Sequence, residues 1–224
     1  MTESLTFYTN PMSRGRIVRW MLEEVGAPYE TVVLDYGTTM KSAEYLAINP
    51  MGKVPAIRHN DCVVTEGAAI CAYLAEMFPD RGLAPPPGNQ KRGPYYRWLF
   101  FAAGPVEAAV TNKALEVAFA PEKKAFVGYG SFEEAIDNLE RAIRPGPYIC
   151  GEQFTAADVY VGSQIGWGMM FGSIDKRPAF VDYFGRLQAR PAAVRARELD
   201  DALMPKARTD CGDEECVMNE SGPQ

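Results

Sequence analysis

The spacing of apolar residues divides the chain into two parts with different predicted structure. Up to residue 78, short β-rich runs alternate with segments whose apolar residues recur at helical spacing. The predicted strands are Leu5–Tyr8, Tyr29–Leu34, a run around Val54–Ile57 and a run around Val63–Val64, and the predicted helices cover residues 14–25, 41–48 and 66–78. The order βαβαββα is typical of a two-layer α/β domain with a mixed sheet.

Beyond residue 89 the pattern contains no convincing strand and predicts only helices. They cover residues 95–103, 106–119, 131–143 and 159–170, with a break between the first two at Gly104-Pro105. The three prolines from Pro85 to Pro87 predict a semi-rigid linker. We therefore expect an α/β domain over residues 1–80, a linker over 81–88, an all-α helical domain over 89–208 and a disordered acidic tail over 209–224.

One helix start is especially well marked in the sequence. Thr155 can cap the helix that follows, and Asp158, three residues later, can reach back to it. The segment that follows is mostly apolar with small residues, so we expect this helix to be buried. A cap of this kind stabilises a helix by roughly 1 kcal/mol.

The most informative stretch is Asn49-Pro50-Met51-Gly52-Lys53-Val54-Pro55-Ala56-Ile57. A proline cannot donate to a β-ladder, so we expect Pro55 at the first residue of a strand, at an edge or at a bulge. A cis Val54–Pro55 bond would turn the backbone of Val54 outward. Shortly afterwards Glu66 and Gly67 begin a helix, and a free helix N-terminus binds anions.

These motifs resemble the glutathione-binding half of the cytosolic glutathione transferases. The resemblance rests on Gly-Lys-Val-Pro-Ala at residues 52–56 together with Thr-Glu-Gly-Ala-Ala-Ile at residues 65–70. Residues 148–158 and 184–192 are similar to two further motifs in the family's helical domain, in the family's order. The resemblance implies an N-terminal thioredoxin-like domain, an all-α C-terminal domain, glutathione as co-substrate, and a homodimer.

The resemblance also implies roles for individual residues. The backbone of Val54, before the cis Pro55, would pair with the cysteinyl part of glutathione, and Glu66 would hold its γ-glutamyl end. This chain has Gly67 where the family usually has serine, which removes a hydroxyl but not a backbone amide. Gly67 is also the best support for a rival class, a non-catalytic protein of this fold that binds ligands or partners.

The family's chemistry requires a donor that stabilises the glutathione thiolate. A thiol with a pKa near 8.5 is mostly protonated at neutral pH. Lowering that pKa by two units needs about 2.7 kcal/mol. The loop from residue 8 to residue 14 lies where the family keeps this donor, and Ser13 is the leading candidate although it is also the natural cap of the first helix. Tyr8, Thr9 and Asn10 are the alternatives. The loop has no cysteine, which argues against mixed-disulfide chemistry.

Several further residues are candidates for binding, each with a plainer alternative. Lys53 and Lys41 either contact the carboxylates of glutathione or are solvated, and Arg14 and Arg16 either add positive potential near the thiolate or are surface charges. His59, the only histidine, is expected to be solvated in a turn, which argues against histidine-based catalysis and against a metal site. The candidates for lining an apolar second pocket are Met12, Trp98, Phe101 and Met170, for which a place in the core is the alternative.

Composition and charge exclude some classes of binding partner and indicate the cellular compartment. The net charge of −6 over 224 residues argues against nucleic acid or anionic membrane as a main partner. No apolar run approaches the roughly 20 residues that span a bilayer, and the start of the chain has no basic signal-peptide region. We expect Cys62, Cys71 and Cys150 to be small buried residues of a reduced, cytoplasmic protein. Cys211 and Cys216 lack the spacing of a metal or redox pair.

Overall fold

A computed structural model describes residues 4–204. The first part forms a four-stranded sheet in the order β2-β1-β3-β4, in which β1 is parallel to β2 and antiparallel to β3, and β3 is antiparallel to β4. The strands are β1 (Leu5–Thr9), β2 (Glu30–Val33), β3 (Ala56–His59) and β4 (Cys62–Thr65).

The helices account for the rest of the regular structure in residues 4–204. The α/β part contains α1 (Gly15–Val25), α2 (Ala43–Leu46) and α3 (Gly67–Met77). The helical part contains α4 (Arg92–Phe101), α5 (Glu107–Ala114), α6 (Phe132–Ile143), α7 (Ala156–Phe171), α8 (Pro178–Gln188) and α9 (Pro191–Ala202). The predicted fold class, a thioredoxin-like βαβαββα domain followed by an all-α domain, is confirmed.

The predicted break at Gly104-Pro105 is wrong. A π-helical segment, Ala102–Val106, joins α4 to α5 without interrupting the helix. A proline in a regular α-helix clashes with the carbonyl four residues earlier, and the wider π turn relieves that conflict. The prediction also carried the second helix too far, because α5 ends at Ala114.

Two local predictions about buried and exposed residues also need correction. His59 is buried at the end of β3, where its Nδ1 lies 2.9 Å from the Tyr73 hydroxyl and its ring stacks on Phe78. Cys62 is exposed, because it starts the edge strand β4. Cys71 is fully buried as expected, whereas Cys150 is only half-buried.

The predicted capping box at the start of α7 is confirmed. The Asp158 carboxylate accepts hydrogen bonds from the Thr155 N–H at 2.9 Å and from the Thr155 hydroxyl at 3.0 Å. It also accepts from the Ile149 N–H at 2.7 Å and from the Tyr183 hydroxyl at 2.8 Å. Asp158 therefore joins α7 to α8 and to the segment before α7, which is a larger role than that of a local cap.

Helix α1 links the two domains, because it packs against α3 on one side and against α7 and α9 on the other. Ion pairs run along its contact with α9. They are Arg16–Asp201 at 2.8 Å, Arg19–Asp200 at 3.1 Å, Glu23–Arg195 at 2.7 Å and Glu24–Arg190 at 2.7 Å. The basic first half of α1 meets the acidic end of α9, and the acidic second half meets its basic start. This charge pattern fixes the antiparallel alignment and holds the head of α1 against the helical domain.

Candidate active site

The loop between β1 and α1 is held in place by Asn10. Its side-chain amide donates to the Leu34 carbonyl at 2.8 Å, and its side-chain oxygen accepts from the Met12 N–H at 2.9 Å. Its backbone carbonyl accepts from the Ser13 N–H at 3.1 Å. Both polar ends of the Asn10 side chain are therefore used in shaping the loop.

Ser13 stands at the head of α1 with its hydroxyl engaged in two hydrogen bonds. The hydroxyl accepts from the Gly15 N–H at 2.9 Å and donates to the Asn10 carbonyl at 2.7 Å. It thus satisfies one of the free amides of the first turn, although α1 begins at Gly15 and Arg14 occupies the formal capping position. To donate to a ligand, the hydroxyl would have to rotate away from Asn10.

The other hydroxyl candidates on β1 are set deeper. Thr9 is fully buried, and its hydroxyl lies so close to Gly15 that any side chain at residue 15 would overlap it. The Tyr8 ring packs 5.6 Å from the Tyr45 ring in a small apolar cluster with Leu34, Met40 and Ala56. The structure therefore places Ser13 at the helix start and its rivals on the strand behind it.

The segment before β3 is held by side-chain hydrogen bonds and contains the cis Val54–Pro55 bond that the sequence predicts. The Lys53 carbonyl accepts from the Tyr45 hydroxyl at 2.6 Å and from the Asn49 side-chain amide at 2.8 Å. Lys41, which ends the short 3-10 helix Thr39–Lys41, donates from Nζ to the Met51 carbonyl at 3.1 Å. The backbone just before Val54 is therefore held by hydrogen bonds from the side chains of neighbouring residues. Lys41 donates one of these hydrogen bonds.

The start of α3 carries an unusual backbone conformation. Glu66 has φ of 66° and ψ of 118°, in a region that residues other than glycine seldom adopt. Its side chain makes no capping hydrogen bond, and Gly67 offers no hydroxyl, so the amides of the first turn are left to a ligand or solvent. A Cβ added to Gly67 would lie 3.3 Å from Tyr160 Cε2, which is a tight contact with the ring.

A polar chain that the sequence did not reveal runs from the head of α1 to Tyr160 on α7. Arg14 pairs with Glu107 at 3.0 Å, and Gln164 Nε2 lies 3.4 Å from Glu107 and 3.3 Å from the Tyr160 hydroxyl. Burial, followed by the charge of Glu107, raises the pKa of Tyr160 to about 12. No local pattern could have identified this chain, because its members come from the β1–α1 loop, α5 and α7.

The candidates for the second pocket fall into two groups by exposure. Met12 is 63% exposed and Met170 is 65% exposed. Trp98 is only 9% exposed and belongs to the main core, and half-buried Phe101 packs edge-on against it with ring centroids 5.5 Å apart. The side chains of Met12 and Met170 are thus accessible to a ligand. Trp98 is buried and could only lie behind the residues that contact the ligand.

Neither a cluster of metal ligands nor a membrane-spanning helix occurs in the described part of the chain. Within residues 4–204 no group of three or more histidine, cysteine or acidic side chains is placed to hold a metal ion. None of the helices in the same range is long and apolar enough to cross a bilayer. Cys211 and Cys216 lie outside the described residues.

Comparisons with known proteins agree with this geometry. Residues 3–76 match the family described as "Glutathione S-transferase, N-terminal domain", and residues 107–186 match "Glutathione S-transferase, C-terminal domain". Glutathione S-transferase GstA of Escherichia coli O157:H7 is 33% identical over 162 residues, which cover 71% of this chain and 77% of that protein.

Solved structures extend the likeness over most of the chain. A glutathione transferase from Methylococcus capsulatus superposes with a TM-score of 0.73 at 30% identity, covering 88% of this chain and 99% of the other. A sphingomonad glutathione S-transferase in complex with glutathione gives a TM-score of 0.72 at 28% identity, with 88% and 98% covered. With both domain families matched in order on a thioredoxin-like and an all-α domain, this chain belongs to the glutathione S-transferase family.

Proposed function

We propose that the chain binds glutathione between the β1–α1 loop, the Val54–Pro55 segment and the start of α3. Ser13 stabilises the thiolate, which attacks an electrophilic apolar compound. Glutathione transferase activity is the function that family membership supports, and the assignment of individual residues is our proposal. The single observation that carries it is the position of the Ser13 hydroxyl, 2.9 Å from the Gly15 amide in the first turn of α1.

The energy that this arrangement can supply is sufficient for the chemistry. A charge-assisted hydrogen bond from a hydroxyl contributes about 1.5–3 kcal/mol, and a helix N-terminus adds about 0.3–1 kcal/mol. Together they reach the approximately 2.7 kcal/mol that lowers a thiol pKa by two units. Tyr8 remains the alternative donor, followed by Thr9 and Asn10.

The rest of the tripeptide would be held by backbone groups and by helix α3. The peptide groups of Val54, before cis Pro55, pair with the cysteinyl residue. Glu66 and the free amides at Gly67 hold the γ-glutamyl end. Lys53 reaches a carboxylate from its exposed position, and Lys41 would do so only by releasing the Met51 carbonyl.

We further propose that Met12, Phe101 and Met170 border the pocket for the electrophile, with Trp98 behind them. The protein acts in the cytoplasm in detoxification, without a bound metal, as a homodimer in which the first domain of one subunit meets the second domain of the other. Residues 1–80 form the glutathione-binding domain, 81–88 the linker and 89–208 the helical domain. A monomeric mass in solution at micromolar concentration would rule out the dimer.

The test of the proposed function has two steps. The protein is applied to immobilised glutathione and eluted with free glutathione, and the retained protein is assayed for turnover with a generic electrophile. Retention with turnover is the expected result. Retention without turnover on a panel of electrophiles would favour a non-catalytic binding protein, for which Gly67 is the supporting feature, and no retention would contradict the proposed site.

A further inference from the structure

An ion pair crosses between the two domains beside the residue that we place at the glutathione sulfur. Arg14 directly follows Ser13 in the β1–α1 loop, and Glu107 is the first residue of α5. Arg14 Nη2 lies 3.0 Å from Glu107 Oε1, with side chains 45% and 31% exposed. The pair is therefore partly open to the solvent.

The carboxylate of Glu107 is oriented by a second element. Gln164 on α7 lies 3.4 Å from its other oxygen and 3.3 Å from the Tyr160 hydroxyl, and the Tyr160 ring stands against Gly67. The polar chain thus runs from the β1–α1 loop to the Tyr160 hydroxyl, and an apolar edge of the Tyr160 ring lies beside the start of α3. Glu107 sits on this chain between Arg14 and Gln164.

The other charges around these segments are either engaged elsewhere or on another element. Arg16 donates from Nε to the Pro11 carbonyl at 2.6 Å and pairs with Asp201 at 2.8 Å, so its charge is balanced on the α9 side. Glu66 lies at the start of α3 and Lys53 before β3, both exposed. Arg14 is the cation adjacent to Ser13, and its balancing carboxylate comes from the opposite domain.

We propose that Glu107 is the counter-charge that limits how far Arg14 lowers the pKa of the glutathione thiol at Ser13. The proposal rests on the proposed function and deepens it. A cation near the sulfur favours the thiolate, and a carboxylate held against that cation cancels most of its effect. Arg14 and Glu107 are positioning residues: they act on the sulfur through their field, and the helical domain thereby sets the reactivity of a group bound by the other domain.

The experiment measures the pKa of bound glutathione from the ultraviolet absorbance of its thiolate, titrated with pH. The variants are Arg14→Gln, Glu107→Gln and the double variant. Removing one charge of the pair leaves the other unbalanced, and we expect this to shift the pKa on the order of half a unit. We expect Arg14→Gln to raise the pKa, Glu107→Gln to lower it, and the double variant to return near wild type. Arg14→Lys, which keeps the charge, should stay close to wild type.

The matched control is Arg195→Gln, which removes an interdomain ion pair with Glu23 at the other end of α1. It should leave the thiol pKa unchanged, whatever it does to the melting temperature. A purely structural role for Arg14–Glu107 would lower the melting temperature of Glu107→Gln without moving the pKa, and that result would overturn the inference. If Glu107→Gln does not fold, Glu107→Ala answers the same question. A wild-type protein with no thiolate band would overturn the proposed function as well, whereas a thiolate band insensitive to all these variants would overturn only this inference.

Discussion

The ring of Tyr160 stands beside Gly67, with Cε2 3.3 Å from the point where a Cβ at residue 67 would lie. Gly67→Ser would therefore require the buried ring to move by a few tenths of an ångström. Overpacking of this kind destabilises a protein by about 1–3 kcal/mol. We expect Gly67→Ser to lower the free energy of unfolding by about 1 kcal/mol and to bring no gain in glutathione affinity.

The matched variant is Tyr160→Val combined with Gly67→Ser. With the ring removed, the serine should fit, and the two changes together should destabilise less than the sum of the two single changes. Urea unfolding and calorimetric titration with glutathione measure both quantities. Simple additivity of the two changes would show that the ring does not restrict residue 67.

Ser13 is expected to govern the rate of the reaction far more than the affinity for glutathione. Ser13→Ala removes the hydroxyl at the head of α1, and the loss of a bond of about 1.5–3 kcal/mol slows turnover roughly ten- to hundredfold at neutral pH. The thiol pKa of bound glutathione should rise in parallel. The dissociation constant should change little, because the other contacts that we assign to glutathione are untouched.

The control for the lost cap is Ser131→Ala. Ser131 forms a capping box with Glu134 at the start of α6, a helix to which we assign no part of the glutathione site. This variant should lose about 1 kcal/mol of stability and keep the wild-type rate. A folded Ser13→Ala protein with normal rate and normal thiolate absorbance would transfer the role to Tyr8, Thr9 or Asn10, beginning with Tyr8→Phe.

Asp158 should contribute more to stability than a local helix cap. Asp158→Ala removes the acceptor of the Ile149 and Thr155 amides and of the Tyr183 hydroxyl, all of which are buried. We expect a loss of about 3–5 kcal/mol, compared with about 1 kcal/mol for Thr155→Ala. Chemical unfolding of the two variants provides the measurement. Equal losses would mean that the cap alone accounts for the effect.

The comparison of Asp158 with Gly67 shows what the sequence could and could not predict. The spacing of Thr155 and Asp158 lies within one helical turn, so the cap was predictable, whereas the bonds to Ile149 and Tyr183 depend on how α7 meets its neighbours. The cis bond at Val54–Pro55 was likewise signalled by a proline in a strand-like run. Local pattern also identified the fold class, because two domains of different periodicity follow one another.

The errors arise where tertiary contacts override the local pattern. His59 follows a turn-like pattern but is buried between Tyr73 and Phe78. Pro105 resembles a helix break but lies in a π-helical segment. The Arg14–Glu107 pair joins residues far apart in the sequence, and the sequence around each of them gives no sign of the other.

Alkaline pH should destabilise the protein through buried tyrosines. Burial raises the pKa of Tyr45 to about 12 and that of Tyr160 to about 12, from an ordinary value of 10. The unfolded chain loses these protons near pH 10 while the folded chain retains them, so stability is complete below that pH and is lost as the pH rises towards 12. Each shift of about two units corresponds to about 3 kcal/mol.

Urea unfolding at a series of pH values measures this slope. Tyr160→Phe should make the loss of stability with rising pH shallower, because one of the raised groups is gone. Ser131→Ala is the control, since it removes no tyrosine and should leave the slope unchanged. A wild-type stability that stays constant up to pH 12 would contradict the assignment.

Among the cations along the α1–α9 contact, Arg190 should be the one whose replacement by lysine lowers stability the most. Its guanidinium makes two hydrogen bonds of 2.7 Å to Glu24 and lies 3.5 Å from the centre of the Phe154 ring. Glu24 also accepts from the Trp20 indole at 2.9 Å, so its carboxylate is fully used in a largely buried setting. Arg190→Lys keeps the charge but loses the second hydrogen bond and the flat stacking surface.

We therefore expect Arg190→Lys to lower the free energy of unfolding by about 1–2 kcal/mol. Arg195→Lys is the control, because Arg195 pairs with Glu23 from an exposed position and should change stability by less than about 0.5 kcal/mol. Urea unfolding of the two variants and the wild type provides the measurement. If both lysine variants lose the same stability, total charge along α1 and α9 holds the domains together, and the bidentate, stacked geometry of Arg190 adds nothing.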